Sequence, residues 1–541
     1  MEVLPPAGEN ASENAHESPW HWESAASAGD GCLVSPEFCE RIVESYTRGR
    51  ETELPADIYA ARSLMPPSTA LHRSFRHLAP NIPVLHSDKC VGCMECVNQC
   101  PDTAILACVA ESSIVEERIA RIEREDLRDR LQKLFTKTNK YHDVPVKRGE
   151  PGGMFGIFVD PDKCKGCGEC VTACGTHRAL DMVPKSAVDL LEYDGGMDLF
   201  HHLPPTPERF VNDKALGDMM LADRSMLYSG GAGSCMGCGE GTALRLMLAA
   251  TGFVYGVDQI GIVAATGCNT VFGSTYPFNP FKVPWTNSLF ENAPADAMGI
   301  RLRWDQEGHQ KRRLWVVGGD GAMYDIGFQS LSRLLMSGMD IKVLVLDTQV
   351  YSNTGGQSST ATFTGQNAKM AAFGKTSPGK REHRKELATI AMMHPGVYVA
   401  QTTPAHLNHF YRAVMEANEY PGPAVVICYA ACMPEHGIAD DRAVAQAKLA
   451  ADSRTFPLLT YDPRKGDRIR ERVSLQGNPV MKEDWFANPK TGEPVDFIAF
   501  ARTEGRFARH FTDGQADEFL KEAQQDRLAN WHRLQELAGL R

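Results

Sequence analysis

The sequence predicts an α/β protein, a doubly wound and mostly parallel sheet, with a small cysteine-rich α+β domain ahead of it. Three observations carry this. Short apolar runs alternate with helical segments from about residue 213 onward. A cysteine motif in the first half of the chain recurs once. The two regions differ in character: the cysteine-rich stretch spans about residues 80–190, the alternating one about 213–455.

The bulk composition narrows the class. The chain has 541 residues, 43% hydrophobic and 23% charged, as expected for a globular protein of several domains. A net charge of −11 argues against a nucleic-acid binder, which needs a basic face. No apolar run approaches the ~20 residues of a membrane span. The first residues lack a basic n-region and an apolar h-region, so a cytoplasmic protein without a signal peptide is expected. Sixteen cysteines in such a chain point to metal or redox chemistry rather than a disulfide framework.

In chain order, residues 1–79 read as a tail and one short helix, PEFCERIVESY, with no assignable role. Cys32, Cys39, Cys108 and Cys428 fit no pattern and read as buried or incidental thiols. Residues 80–190 hold the repeat: Cys90-x2-Cys93-x2-Cys96-x3-Cys100-Pro101 returns as Cys164-x2-Cys167-x2-Cys170-x3-Cys174. Three close thiolates with a fourth that reaches the other cluster is the signature of two [4Fe–4S] clusters. One takes Cys90, Cys93, Cys96 and Cys174, the other Cys164, Cys167, Cys170 and Cys100. Zinc would favour pairs of C-x2-C over triplets. Gly175 follows the second motif where proline is usual, which predicts a changed turn. Between the copies, residues 111–140 place Ile114, Ile119, Ile122, Leu127, Leu131 and Leu134 at helical spacing and read as a helical insertion.

In the second region GIVAATG, LWVVGGDG, IKVLVLD, VYVAQ and AVVICYA read as buried strands. IGFQSLSRLLMSG reads as an amphipathic helix capped by Gly338. Residues 456–541 are polar, end in a helix, and read as an arm lying on a neighbour or partner. Gly319-Asp320-Gly321 follows a strand and opens a helix, whose free N–H groups suit a phosphate while the Asp320 carboxylate suits Mg²⁺. Asp347 ends the next strand and leads into a Gly- and Asn-rich loop, 348–356. The lone Cys235-x2-Cys238 is open at this point: a dithiol, half a zinc site, or part of a cluster. Cys268 and Cys432 each follow an apolar strand, where parallel sheets gather ligands.

The GDG segment and following loop resemble the diphosphate–Mg²⁺ motif of thiamine diphosphate enzymes. By that resemblance Mg²⁺ would take the Asp320 carboxylate, the Thr348 hydroxyl and the Val350 carbonyl. The wording of YSNTGGQSS, GDGAMYDIG, SCMGCGE, ATGCNTVFGS, WTNSLFENA and CYAACMPEHGI, together with the double-cluster repeat, resembles the pyruvate:ferredoxin oxidoreductase family over about residues 80–450. The resemblance implies a thiamine diphosphate-binding fold and a third [4Fe–4S] cluster held by Cys235, Cys238, Cys268 and Cys432. It implies that Glu240 and Cys268 contact thiamine diphosphate. Asp320, Gly321, Ala322 and Met323, with Thr348, Gln349, Val350, Tyr351, Ser352 and Asn353, would cradle its diphosphate and Mg²⁺. Asn353 would also face the substrate.

The implied reaction is oxidative decarboxylation of a 2-oxoacid, with acyl transfer to coenzyme A and electrons passed to ferredoxin or flavodoxin. Pyruvate is the expected substrate, 2-oxoglutarate the alternative. The domain that meets the aminopyrimidine ring in this family is not recognisable here. A partner subunit carrying it is expected, in a hetero-oligomer with a dimeric core, and the chain alone should turn over no 2-oxoacid. Two other classes stand beside this one: a non-redox thiamine enzyme with a fused ferredoxin, and an electron-transfer module with a vestigial thiamine fold. The basic run 379–385 reads as a solvated loop, or else as a contact to a coenzyme A phosphate or a partner; 464–472 reads as a solvated face.

Overall fold

A computed structural model describes residues 36–371 and 379–541. The tail 1–30 and Cys32 lie outside the described residues. PEFCERIVESY is helical, running through a π-turn at Cys39–Val43 into Glu44–Thr47. Cys39 is disulfide-bonded rather than a free thiol.

The small domain is built by pairing across the repeat. Strand β1 (Asn81–Leu85) precedes the first motif and pairs antiparallel with β5 (Leu180–Pro184), which follows the second. Strand β2 (Ile105–Glu111) follows the first motif and pairs antiparallel with β4 (Gly153–Val159), which precedes the second. Each motif is thereby threaded against the other, which carries the fourth cysteine of each toward the triplet of its twin. The insertion is two helices, Ser112–Ala120 and Glu125–Gln132, rather than one. The chain bends between them because Ile122 is buried there and its carbonyl accepts from Arg128 Nη2 at 2.6 Å. Together with β3 (Phe135–Thr136) and helix Leu190–His202 they cover β2 and β4 with a separate apolar cluster.

The large sheet has the order β13-β12-β10-β11-β9-β8-β6-β7. Strands β6 (Ile260–Ala265), β7 (Trp285–Ser288), β8 (Arg313–Gly319), β9 (Lys342–Asp347), β10 (Tyr398–Thr402) and β11 (Ala424–Tyr429) run parallel. β12 (Leu459–Tyr461) and β13 (Val473–Ser474) add antiparallel at one edge. Strands β6, β9 and β11 are buried at every position, because helices cover both faces. Side chains alternate between two cores. Ile262, Trp315, Leu344 and Val426 face helices Gly239–Tyr255 and Leu407–Glu419, and that core runs on into the cysteine-rich domain. Val263, Val316, Val343 and Val425 face Phe328–Leu335 and the C-terminal segment.

The C-terminal segment is not an arm on a neighbour. Phe497, Phe500 and Phe507 are fully buried, and helix Glu518–Leu537 contributes Leu520, Trp531 and Leu534 to the second core. Its polar average hides three phenylalanines: Phe497 and Phe500 stack near-parallel, and Phe507 and Phe363 each meet both of them edge-on.

Candidate functional site

The two motif loops are built alike. Gly92 (φ +70°) and Gly166 (φ +75°) occupy the left-handed region, as do Met94 (φ +69°) and its repeat counterpart Gly168 (φ +85°). This backbone curls the loops around the thiols. Cys90, Cys93, Cys96 and Cys174 line one cavity of about 360 Å³. Cys100, Cys164, Cys167 and Cys170 line a second, of about 340 Å³. The fourth thiols match: Ala104 N donates to Cys100 Sγ at 3.3 Å, and Ala179 N to Cys174 Sγ at 3.2 Å. Burial pushes the Cys164 thiol up to about 12, so in a metal-free cavity it stays protonated. Gly175 has φ +57°, which proline's ring forbids, so the turn after the second motif differs from the first.

A third quartet gathers from three places. Cys235 and Cys238 sit on the turn into helix Gly239–Tyr255, where Cys238 is the N-cap. Cys268 opens helix Cys268–Gly273 after β6, and Cys432 is the N-cap of Met433–His436 after β11. All four line one cavity of about 520 Å³ with Glu240, Thr348, Ser352 and Asn353. The sheet thus brings together cysteines that are remote in sequence. Cys108 and Cys428 lie buried in β2 and β11, away from the quartets.

A fourth cavity, about 350 Å³, adjoins the third. It is lined by Glu240, Cys268, Gly321, Ala322, Thr348, Val350, Tyr351, Ser352 and Asn353. Thr348 Oγ1 lies 3.0 Å from Asp320 Oδ1 and 3.1 Å from the Val350 carbonyl. Oxygens bound to one octahedral Mg²⁺ at about 2.1 Å are about 3.0 Å apart along each edge, so this spacing fits the ion. Asp320 is fully buried, and among the described residues no Lys, Arg or His forms an ion pair with it. Burial, then Asp347, pushes its carboxyl up to about 7. A cation would relieve that cost. Glu240 is also buried, its Oε2 lacks a hydrogen-bond partner, and burial pushes it up to about 8. Three expected residues do not line the cavity: Asp320 is fully buried against Thr348, Met323 packs fully buried against Gly318, and Gln349, at φ +60°, points into the protein.

Several supporting residues lie outside the expected site set. Ser359 Oγ donates to Asp320 Oδ2 at 2.5 Å. His436 Nε2 lies 2.9 Å from the Thr348 carbonyl, and burial holds the ring neutral. Both terminal nitrogens of Arg506 reach Gln349 Oε1 at 3.1 Å, while its Nε pairs with Glu504 at 2.5 Å. The basic run is structural in part rather than a solvated loop. Lys380 Nζ donates to the carbonyls of Ser359, Thr360 and Thr362, and Arg384 pairs with Asp347 in full burial. Among the described residues no helix is long and apolar enough to cross a membrane.

Comparison with known proteins agrees with this geometry. The family "Thiamine pyrophosphate enzyme, C-terminal TPP binding domain" matches residues 265–428, and two 4Fe-4S binding domain families match 83–106 and 157–180. A probable pyruvate-flavodoxin oxidoreductase of Escherichia coli (strain K12) is 28% identical over 547 residues, covering 87% of this chain and 43% of that protein. The pyruvate:ferredoxin oxidoreductase of Moorella thermoacetica is 28% identical over 527 residues, covering 82% and 42%. The chain therefore spans less than half the length of these curated relatives. Among solved structures, 2-oxoglutarate:ferredoxin oxidoreductase from Magnetococcus marinus aligns at 20% identity and a TM-score of 0.33, over 38% of this chain and 67% of that one. Along most of its own length the chain is similar to pyruvate:ferredoxin and pyruvate-flavodoxin oxidoreductases, and its matches to one thiamine pyrophosphate-binding and two 4Fe-4S binding domain families fall on one polypeptide.

Proposed function

We propose that the chain is the thiamine- and cluster-bearing part of a cytoplasmic pyruvate oxidoreductase that forms acetyl-coenzyme A and CO₂ and passes electrons to ferredoxin or flavodoxin. One observation carries this reading. The third thiol quartet and the Asp320 cavity share Glu240, Cys268, Thr348, Ser352 and Asn353 as common walls. A non-redox thiamine enzyme has no use for a thiol quartet at that place, and a vestigial fold would not keep the oxygen spacing around Thr348. Pyruvate rather than 2-oxoglutarate follows the names of the relatives.

Bound thiamine diphosphate supplies the electron sink for decarboxylating a 2-oxoacid. The chain's own residues hold it. Asp320 Oδ1, Thr348 Oγ1 and the Val350 carbonyl bind Mg²⁺, with Ser359 fixing the second Asp320 oxygen. The amides of Gly321 and Ala322 border the diphosphate. Glu240, raised to about 8, keeps a proton at neutral pH on a carboxyl that faces the cavity. Asn353 presents an amide to the substrate. Cys235, Cys238, Cys268 and Cys432 would hold an adjacent [4Fe–4S] cluster, and the two ferredoxin-type quartets would hold the clusters that supply one-electron redox chemistry beyond it. Cysteine quartets standing around a cavity suit a cube better than a single zinc. The relatives' remaining length supplies what these residues do not. A second polypeptide carrying the aminopyrimidine-side domain completes the site, in a hetero-oligomer with a dimeric core.

Iron and acid-labile sulfide on anaerobically purified protein test the reading. Three cubes require about twelve iron atoms per chain, and Cys235→Ala should lower this to about eight. A parent value near eight, with Cys235 and Cys238 titrating as free thiols, would overturn it.

A further inference from the structure

Between the second ferredoxin-type quartet and the third quartet lies a group of buried charges. Asp102, just past Cys100 and Pro101, is 2% exposed, and Lys165, next to Cys164, is 8% exposed. Lys165 Nζ donates to Asp102 Oδ1 at 2.6 Å, to the Ser234 carbonyl at 2.7 Å and to Ser234 Oγ at 3.0 Å. Ser234 Oγ in turn donates to Asp102 Oδ1 at 3.2 Å. Ser234 immediately precedes Cys235, so one ammonium ties the loop of one quartet to the loop of the next.

Arg245 enters from the other side, on helix Gly239–Tyr255. It is 2% exposed, and its Nη2 donates to the carbonyls of Val97 and, at 2.8 Å, Asn98. These belong to helix Glu95–Gln99, which delivers Cys100. Among the described residues Arg245 makes no salt bridge within 4 Å, and its Nε and Nη1 have no hydrogen-bond acceptor. A desolvated guanidinium with two idle nitrogens is costly unless an anion stands near. The carboxylate nearest to it is Asp102, with the Cys100 thiol on the same side. At Cys100 two buried cations face one carboxylate, while the other buried carboxylate of this quartet, Glu169 next to Cys170, accepts from the Ala443 and Val444 amides. Among the described residues no lysine or arginine lines the Cys90 cavity, and Cys93 is exposed to solvent.

We propose that Arg245 and Lys165, set against Asp102, bias one-electron reduction toward the cluster at Cys100, Cys164, Cys167 and Cys170, making it the preferred acceptor from the neighbouring third quartet. A cluster gains negative charge on reduction, and a fixed cation in a low-dielectric interior favours that state. Arg245 and Lys165 are positioning residues that act through the cluster rather than on substrate. The inference rests on the cluster assignment above and not on the thiamine chemistry.

The test is an EPR-monitored redox titration of the full chain with its clusters, the signals being assigned with Cys90→Ser. Arg245→Met should lower the midpoint of the Cys100-side cluster until its reduced-to-oxidised ratio at fixed potential falls about tenfold, which is 59 mV for one electron. Arg245→Lys should restore most of this. Asp102→Asn should move the same midpoint in the opposite direction, and the Cys90-side cluster should shift less than threefold in all variants. Shifts of the same sign in Arg245→Met and Asp102→Asn, or no shift in either at unchanged iron content, would overturn the proposal. Should Arg245→Met fail to fold, the sign of the Asp102→Asn shift decides alone. No 2-oxoacid turnover is read, so failure of the functional reading leaves this result interpretable.

Discussion

Replacing Arg506 with methionine should cost the thiamine lobe far more than a surface substitution. Its Nε holds Glu504 Oε2 at 2.5 Å, and both partners are buried. The remaining donors to Glu504 are neutral: Tyr429 at 3.1 Å and Gln446 at 2.8 Å. Removing the guanidinium strands an uncompensated carboxylate and deprives Gln349 Oε1 of both its donors. Breaking a buried pair from one side costs about 3–5 kcal/mol. At about 2–4 °C per kcal/mol for a lobe of this size, Tm should fall by about 6–20 °C. Neutralising both partners, Arg506→Met with Glu504→Gln, removes the stranded charge and should recover at least half of the loss. Thermal unfolding followed by circular dichroism reads both. An Arg506→Met variant within about 1 kcal/mol of the parent, or a double variant no more stable than the single, would show that this pair does not buttress the loop around Thr348.

Two further outcomes are expected. His409 is buried, its Nδ1 2.9 Å from Thr402 Oγ1, and burial lowers its pKa to about 3. The unfolded chain therefore binds a proton below about pH 6.5 that the fold refuses. The His409 contribution is present above that pH and is lost as pH falls toward 3, at about 1.4 kcal/mol per pH unit. His409→Gln should flatten the stability profile between pH 6.5 and 5; an unchanged slope in denaturant titrations would refute this. Asp320→Asn should raise the Tm of the metal-free chain, because it removes a buried unpaired carboxylate, and should abolish any gain in Tm on adding Mg²⁺ with thiamine diphosphate. A retained Mg²⁺ response in a thermal-shift assay would count against Asp320 as a ligand.

The central sheet was legible because its strands are continuous apolar runs such as IKVLVLD, which have no other stable use. The ferredoxin-type quartets were legible because thiolate spacing is fixed by cluster geometry, and the third quartet only through family resemblance. Arg506 and Gln349 lie 157 positions apart and share no local pattern, so their pairing is a product of the fold alone. The C-terminal segment misled for a related reason. Its burial depends on Phe497, Phe500, Phe507 and Trp531 finding one face, while the charged residues between them dominate the average. In the basic run, composition could not distinguish Lys380, whose ammonium satisfies three inward carbonyls, from an exposed lysine.

The placement of Arg506 also sets an order of assembly. A chain emerging from the ribosome completes its first two thiol quartets once residue 174 is out, and its third only with Cys432. The loop around Thr348 waits longer still, because the guanidinium beneath Gln349 comes from Arg506, beyond Cys432 in the chain. The first two thiol quartets can thus close on the nascent chain before the loop around Thr348 gains its support from Arg506.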